Sequence, residues 1–309
     1  MSAFDRRSHP PGMRLWTWTG PDGWQHRRMD WPQPGGGSAR GSLLFALGRG
    51  DFVEKYLEPI AHWHEGGWNV ASFDWRGQGK STGTIVGQHH DSFDPLIDDF
   101  SAVLADWQAN SPAPHVIVGH SMGGHLLLRL LIERRPLLAA AVLTAPMIDV
   151  NSRPFGPHLA RMAASGATLL GRGRRPLWKV PLEEAPAGSR RQQILTSDLD
   201  RYADEAFWWG EDRDFIPSAP SFGWLRAALR SARCFSAANL RRVDLPILIL
   251  GAEQDRLVSA QAIRRAARLL PKSQLVMYAD SAHEILRERD AIRLAVLGEI
   301  DTFLERHAG

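Results

Sequence analysis

The chain has 309 residues, of which 44% are hydrophobic and 23% charged, and this balance excludes a disordered protein. A formal net charge of +3 is too small to predict a nucleic-acid partner. The single cysteine, Cys234, excludes both an internal disulfide framework and a zinc site built from cysteines.

Short apolar runs alternate with helical patterns in the first half of the chain and again near its end. A Gly-Pro-Asp-Gly turn at residues 20–23 predicts a β-hairpin between residues 13–19 and 25–31. The further predicted strands are residues 43–47, 69–75, 115–118, 138–145, 246–250 and 274–278. The predicted helices are residues 54–65, 94–109, 122–134, 260–269 and 291–306. Apolar strands that alternate with helices predict an α/β fold, with a mostly parallel central sheet and helices on both faces.

This rhythm breaks between residue 146 and about residue 240. The segment has helical patterns at residues 155–170 and 224–232, and it lacks short apolar strand runs. We therefore expect a helical cap, residues 147–240, inserted between two parts of a core domain, residues 1–146 and 241–309.

Ser121 is the candidate nucleophile, and it lies within the sequence Gly-His-Ser-Met-Gly at residues 119–123. A predicted strand runs into this G-x-S-x-G pattern and an apolar helix leaves it, which is the context of a nucleophile elbow. The start of that helix supplies positive potential where an oxyanion would form. Residues 79–83 match the same pattern, but they follow a loop and precede no helix, so Ser81 is the weaker candidate.

A serine nucleophile needs a histidine to take its proton and a carboxylate to orient that histidine. In α/β proteins whose serine lies at such an elbow, the acid and then the histidine follow the serine along the chain, each in a loop after a strand. His283 fits the last place, between a predicted strand and the final helix. Asp255 follows the strand at residues 246–250 and is the best acid, with Glu253 as its rival in the same loop.

An oxyanion hole needs backbone N–H groups directed at the developing negative charge. We expect one N–H from Met122, which follows the nucleophile. The other is expected from Arg49, in the loop after the strand at residues 43–47, where Gly48 and Gly50 allow the backbone a close approach.

The sequence gives no indication of a metal ion, a cofactor or a membrane span. The histidine pairs His62/His64 and His89/His90 lack a carboxylate or cysteine at a recognised ligand spacing, so we predict solvated or packed histidines there. No run approaches the roughly 18 apolar residues that cross a bilayer. Residues 1–12 are polar and predict no secretory signal, so we expect a cytoplasmic protein.

With these residues in place, the chain resembles the α/β-hydrolase superfamily, and within it the group of monoacylglycerol lipases and bacterial lysophospholipases L2. The resemblance is carried by residues 47–55 (Leu-Gly-Arg-Gly-Asp-Phe-Val-Glu-Lys), 74–81 (Asp-Trp-Arg-Gly-Gln-Gly-Lys-Ser) and 118–125 (Val-Gly-His-Ser-Met-Gly-Gly-His). The resemblance implies Ser121 as nucleophile and Asp255 and His283 as its acid and base. It also implies that the amides of Arg49 and Met122 form the oxyanion hole. Many members begin the oxyanion loop with His-Gly, where this chain has Leu47-Gly48.

The sequence leaves three functions open. The first is hydrolysis of lipid-like carboxylic esters, monoacylglycerols or lysophospholipids, through an acyl-enzyme on Ser121. The second is a peptidase or amidase of the same fold, which would need carboxylates of the cap to bind a substrate ammonium. The candidate carboxylates are Glu183, Glu184, Asp198, Asp200, Glu211 and Asp212. The third is a binding module without catalysis, and the intact set of serine, acid and histidine argues against it.

The predicted cap is both aromatic and basic. Its aromatic residues include Trp178, Phe207, Trp208, Trp209, Phe215, Phe222 and Trp224. These side chains either pack the cap onto the core or line a pocket for an acyl chain. The cap holds 13 Lys and Arg against 10 Asp and Glu, so the whole net charge lies there. Its arginines are either simply solvated or bring the cap into peripheral contact with an anionic lipid surface.

Overall fold

The computed structural model describes residues 4–36, 39–81, 89–152, 156–177 and 187–309. Within these residues eight strands form one mixed sheet. The strands are β1 Arg14–Thr19, β2 Gln25–Trp31, β3 Gly41–Ala46, β4 Trp68–Phe73, β5 His115–His120, β6 Ala140–Thr144, β7 Ile247–Ala252 and β8 Ser273–Tyr278. Their order across the sheet is β1-β2-β4-β3-β5-β6-β7-β8.

The sheet is parallel from β4 to β8, and the hairpin of β1 and β2 adds an antiparallel edge. Every residue of β3, β6 and β7 is buried, so both faces of the central sheet are covered. This burial explains why these strands are continuous apolar runs rather than alternating patterns. The predicted α/β fold with a mostly parallel sheet is confirmed.

Helices connect the parallel strands. Those outside the cap are α1 Leu57–Glu65, α2 Asp94–Ala109, α3 Met122–Glu133, α9 Ala260–Leu269 and α10 Asp290–Ala308. Helix α1 begins later than the predicted helix at residues 54–65, because residues 53–56 form a separate 3₁₀ turn. The reason is Pro59, which lacks an N–H group. A start at Leu57 places Pro59 in the first turn, where no backbone N–H has an intrahelical partner.

The described part of the segment between β6 and β7 consists of helices joined by loops. Its helices are α4 Gly156–Leu169, α5 Arg190–Leu195, α6 Leu199–Glu211, α7 Phe222–Ser231 and α8 Ala237–Leu240. The first of these packs against α7. All five lie within residues 147–240, and the division of the chain into cap and core at those residues stays a prediction.

The start of the chain and a small apolar cluster hold the cap to the core. Arg6 Nε lies 2.5 Å from Asp204 Oδ2 on α6. The backbone oxygen of Arg6 accepts a hydrogen bond from the Trp208 indole at 3.2 Å. Phe215 stacks on Phe52 of the core with ring centres 4.4 Å apart. The cap is thus attached by ionic as well as apolar contacts.

Candidate active site

Ser121 stands at a sharp turn between β5 and α3. Its φ of 50° and ψ of −111° lie in a region that side-chain-bearing residues rarely adopt. Glycines make room for this turn. A Cβ on Gly119 would lie 2.9 Å from the Cα of Gly124, and one on Gly123 would lie 2.2 Å from the carbonyl oxygen of Ala46. The G-x-S-x-G pattern is therefore a steric requirement of the turn that presents the serine at the carboxyl edge of the sheet.

Two loops at the same edge bring a histidine and a carboxylate to the serine. His283 follows β8, and its Nε2 lies 2.9 Å from Ser121 Oγ. Asp255 follows β7, and its Oδ2 lies 2.6 Å from His283 Nδ1. Both separations are hydrogen-bond lengths. The carboxyl ends of parallel strands meet at one edge, which is why residues far apart in the chain form one connected set.

The acid and the histidine are fixed by backbone contacts. Asp255 Oδ1 accepts hydrogen bonds from the N–H groups of Leu257 at 2.7 Å and Val258 at 2.9 Å. The loop that holds His283 is tied to the end of α5 in the cap, because His283 N donates to the carbonyl oxygen of Ile194 at 3.2 Å. The cap therefore takes part directly in placing the histidine.

The electrostatic environment favours a histidine that gains a proton during reaction. Burial alone would lower the pKa of His283, but the charge and hydrogen bond of Asp255 outweigh it, so the pKa is raised. An imidazolium formed there is stabilised by the adjacent carboxylate. The neighbouring His120 has its ring centre 5.1 Å away and is held neutral, since burial and the charge of His283 lower its pKa to about 4.

The rival residues occupy other positions. Glu253 pairs with Arg264 on α9 and makes no contact with His283. Ser81 is buried, and its hydroxyl donates to the carbonyl oxygen of Asp74 at 2.7 Å. Neither contact joins the connected set around Ser121.

The loop of residues 48–51, here called the oxyanion loop, lies against the nucleophile. A Cβ on Gly48 would be 3.3 Å from the Cβ of Ser121. The N–H of Gly48 donates to Asp51 Oδ2 at 2.9 Å. Neither the N–H of Arg49 nor that of Met122 has an acceptor among the residues described here. Both amides are thus free to donate to an oxygen beside Ser121, although their role in catalysis stays a proposal.

A buried ionic cluster behind these residues was not predicted. Lys55 Nζ lies 2.7 Å from Asp51 Oδ1, 2.6 Å from Glu284 Oε1 and 3.0 Å from Glu205 Oε1. One ammonium group therefore joins the oxyanion loop, the loop that holds His283, and α6 of the cap. Burial would raise the pKa of Glu205, but the charges of Lys55 and Arg191 and the hydrogen bond from Arg191 together outweigh it and lower the pKa to about 2. The sequence does show an acid, Glu284, next to His283. No local spacing predicts that the partner of Glu284 is Lys55, 229 residues away.

Three of the four histidines considered as metal ligands make other contacts. Within the described ranges no group of three or more His, Cys, Asp or Glu side chains is arranged to hold a metal ion. The contacts are His62 with Asp301 at 2.7 Å, His64 stacked on Trp31, and His89 with Ser221 at 2.7 Å.

Several aromatic residues of the cap serve as packing. Trp208, Phe215 and Trp224 are buried, and Phe215 stacks on the core as described above. Trp178 lies outside the described residues. The structure therefore accounts for part of the aromatic set by packing, and the acyl pocket stays a prediction.

Comparisons with known proteins concern the family and the fold of the chain. The family model described as serine aminopeptidase, S33 (Hydrolase_4) matches residues 37–290. Lysophospholipase L2 of Escherichia coli strain K12 is 28% identical over 281 residues, covering 86% of this chain and 80% of that protein. Monoacylglycerol lipase of Mycolicibacterium smegmatis is 22% identical over 273 residues, covering 87% and 89%. The crystal structure of a soluble variant of monoglyceride lipase from Saccharomyces cerevisiae superposes with a TM-score of 0.76 at 17% identity, covering 99% of this chain and 100% of that chain.

Proposed function

Because this chain belongs to the α/β-hydrolase family described as serine aminopeptidase, S33, and is a serine hydrolase of that fold, we propose that it cleaves carboxylic esters of lipid-like substrates, monoacylglycerols or lysophospholipids. The observation that carries the proposal is the hydrogen-bonded set of Ser121, His283 and Asp255. Relatives named lysophospholipase L2 and monoacylglycerol lipase support the substrate class.

The geometry supports a two-step ester hydrolysis. Ser121 Oγ attacks the ester carbonyl carbon while His283 Nε2 takes the hydroxyl proton and Asp255 holds the imidazole. The amides of Arg49 and Met122 stabilise the oxyanion. Collapse of the tetrahedral intermediate breaks the ester C–O bond, and the imidazolium gives its proton to the leaving alcohol. Water, deprotonated by the same histidine, then attacks the acyl-enzyme and releases the fatty acid and free Ser121.

The cap carboxylates argue against the peptidase alternative. Glu183 and Glu184 lie outside the described residues. Of the four candidates that are described, Glu211 is exposed and the other three are already paired with cations. These pairs are Asp198 with Arg201 at 2.7 Å, Asp200 with Arg6 at 2.6 Å, and Asp212 with Lys80 at 2.5 Å. A carboxylate held by an arginine or lysine is a poor receptor for the ammonium of a peptide N-terminus, so we favour the ester.

We also propose peripheral contact between the cap and an anionic lipid surface. Among the described residues, no helix is both long and apolar enough to span a bilayer. However, α4 and the residue after it expose apolar side chains on one side, followed by an exposed run of arginines. The apolar residues are Leu159, Met162, Leu169 and Leu170, and the arginines are Arg172, Arg174 and Arg175. An apolar stripe next to positive charge is the arrangement that binds anionic lipid.

Sedimentation with vesicles tests this contact. We expect the protein to bind anionic vesicles more strongly than neutral ones, and the double substitution of Met162 and Leu169 by Ser to weaken that binding. Leu137→Ser is the matched control, because Leu137 is an 89% exposed leucine outside the cap. Equal binding to anionic and neutral vesicles would contradict the role of the arginines.

Labelling with a fluorophosphonate tests the nucleophile. We expect the wild-type protein and Ser81→Ala to be labelled and Ser121→Ala to remain unlabelled. Hydrolysis of a monoacylglycerol, a lysophosphatidylcholine and an aminoacyl anilide then separates ester from amide chemistry. A preference for the anilide would overturn the proposed function and favour the peptidase.

A further inference from the structure

The side chain of Arg49 extends from the oxyanion loop to the cap. Its Nη2 donates to the carbonyl oxygen of Ser218 at 2.6 Å, and its guanidinium carbon lies 5.0 Å from the ring centre of Trp224 on α7. Its Nε is buried without a hydrogen-bond partner, and no described carboxylate lies within ion-pair distance. Burial without a compensating carboxylate lowers the pKa of Arg49 to about 9, so the group still carries its charge at neutral pH.

Arg49 is a half-buried cation without the carboxylate partner that several buried cations of the described residues have. Lys55 is surrounded by three carboxylates, Arg27 pairs with Glu54, and Arg287 pairs with Glu284 at 2.5 Å. An uncompensated charge away from water costs free energy unless an opposite charge arrives. Arg49 differs from the cations just named in having no carboxylate partner, and its backbone belongs to the loop that lies against Ser121.

Two neighbouring histidines and the start of α7 belong to the region around Arg49. His90 is 6% exposed, and its Nε2 is buried without a partner. Burial is the main cause that lowers the pKa of His90 to about 4, and the charge of Arg49 contributes to it. His89 Nδ1 lies 2.7 Å from the hydroxyl of Ser221, the N-cap of α7, and Trp224 belongs to the first turn of that helix. The N–H groups at the start of α7 already have acceptors, since Phe222 N donates to Arg175 O, Gly223 N to Gly173 O and Trp224 N to Ser221 Oγ. The guanidinium of Arg49, whose Nε has no partner, therefore supplies the charge that favours an anion here.

We propose that the Arg49 guanidinium binds the phosphate group on the alcohol part of an acyl ester, so that the enzyme prefers lysophospholipids to uncharged monoacylglycerols. The inference rests on the proposed ester hydrolysis. Arg49 is next to Gly48, which lies against Ser121, so an anion held by its side chain is close to the scissile ester. A fatty acyl chain carries no charge along its length, so the anion belongs to the alcohol. A glycerol backbone places a phosphate three carbons from the ester oxygen.

Paired substrates test the assignment. The ratio of kcat/KM for a lysophosphatidylglycerol to kcat/KM for the monoacylglycerol with the same acyl chain is measured with short chains below their micelle concentrations. We expect Arg49→Met to lower this ratio by about 10- to 100-fold, because it removes hydrogen bonds to a charged group. Arg49→Lys, which keeps the charge without the planar fork, should lower it less. The ratio cancels any effect that Arg49 has on chemistry common to both substrates.

Arg226→Met is the matched control, because Arg226 is an exposed arginine on the same helix as Trp224. It removes one positive charge from the cap and should leave the ratio as in the wild type. An equal loss on both substrates in Arg49→Met would overturn the proposal, since Arg49 would then only hold the oxyanion loop and the cap in place.

A binding measurement keeps the inference separate from the proposed function. Calorimetry is used to compare glycerol 3-phosphate, glycerol and inorganic phosphate as ligands of the wild-type protein and Arg49→Met. Binding of glycerol 3-phosphate that is lost in the variant supports the site even if no ester is cleaved. Binding of inorganic phosphate without any preference for the phospholipid substrate would overturn the assignment to a lipid headgroup. Absence of phosphate binding in the wild type, with intact labelling of Ser121, would overturn the site but not the ester hydrolase.

Discussion

Replacing Asp255 by Asn should move the ring proton of neutral His283 from Nδ1 to Nε2. Asp255 Oδ1 accepts two backbone hydrogen bonds, from Leu257 N and Val258 N, so the amide oxygen of Asn must take that position. The amide NH₂ group then stands 2.6 Å from His283 Nδ1, where the carboxylate oxygen was. Because NH₂ only donates, Nδ1 must accept, and the ring proton moves to Nε2. A protonated Nε2 cannot take the proton of Ser121 Oγ.

The expected cost is large. With the wrong tautomer, we expect kcat to fall about 10⁴-fold, while binding and the oxyanion amides keep a residual rate. The pH profile should also move. Activity requires neutral His283 and therefore rises with pH through its pKa. Asp255 contributes most to raising that pKa against burial, so its loss lowers the pKa and shifts the rise to lower pH.

Steady-state hydrolysis of a soluble nitrophenyl ester across pH, with thermal melting to verify folding, measures both effects. Glu253→Gln is the matched control, because this carboxylate lies in the same loop and pairs with Arg264 instead. A folded Asp255→Asn enzyme that loses less than tenfold, or no more than Glu253→Gln, would refute the tautomer argument and the choice of acid.

Other predictions concern stability and the elbow. Lys55→Met leaves three buried carboxylates without their shared cation and should lower the free energy of unfolding by about 3–5 kcal/mol in urea titrations; a loss below about 1 kcal/mol would contradict the role of the cluster. The lowered pKa of Glu205, about 2, means that its contribution to stability is complete above its usual pKa of 4.5 and is lost as the pH falls towards 2, which unfolding curves in acid would detect. Gly123→Ala places a methyl group 2.2 Å from the backbone oxygen of Ala46, so we expect loss of fluorophosphonate labelling and a lower melting temperature. Gly298→Ala, whose methyl group meets nothing within 4 Å, should retain labelling.

Local patterns predict the central sheet and the turn at Ser121 because the physical requirement is itself local. Strands such as β3 and β7 are buried along their whole length, so each must be a short apolar run. The turn at Ser121 needs small residues on both sides, and the sequence shows them as glycines. The chain order of serine, acid and histidine then predicts which two loops meet this turn.

Contacts between distant segments could not be predicted in the same way. Lys55 and Glu205 belong to separate helical regions, and no periodicity relates an ammonium group in one to a carboxylate in the other. The side chain of Arg49 is a similar case. The sequence indicates its backbone N–H by position in the loop, but only the packing of α7 reveals that the guanidinium lies half-buried beside Trp224 without a carboxylate.

The predicted cap lies in the chain between the proposed catalytic residues. Ser121 precedes the helices α4 to α8, whereas Asp255 and His283 follow them. The two parts of the sheet meet where β6 pairs with β7, for instance Ala141 opposite Ile247. A chain cut within the cap would therefore give two pieces, neither of which contains Ser121, Asp255 and His283 together. Hydrolysis would return only when they reassociate along that strand pair, which makes this architecture a natural template for a split-enzyme reporter.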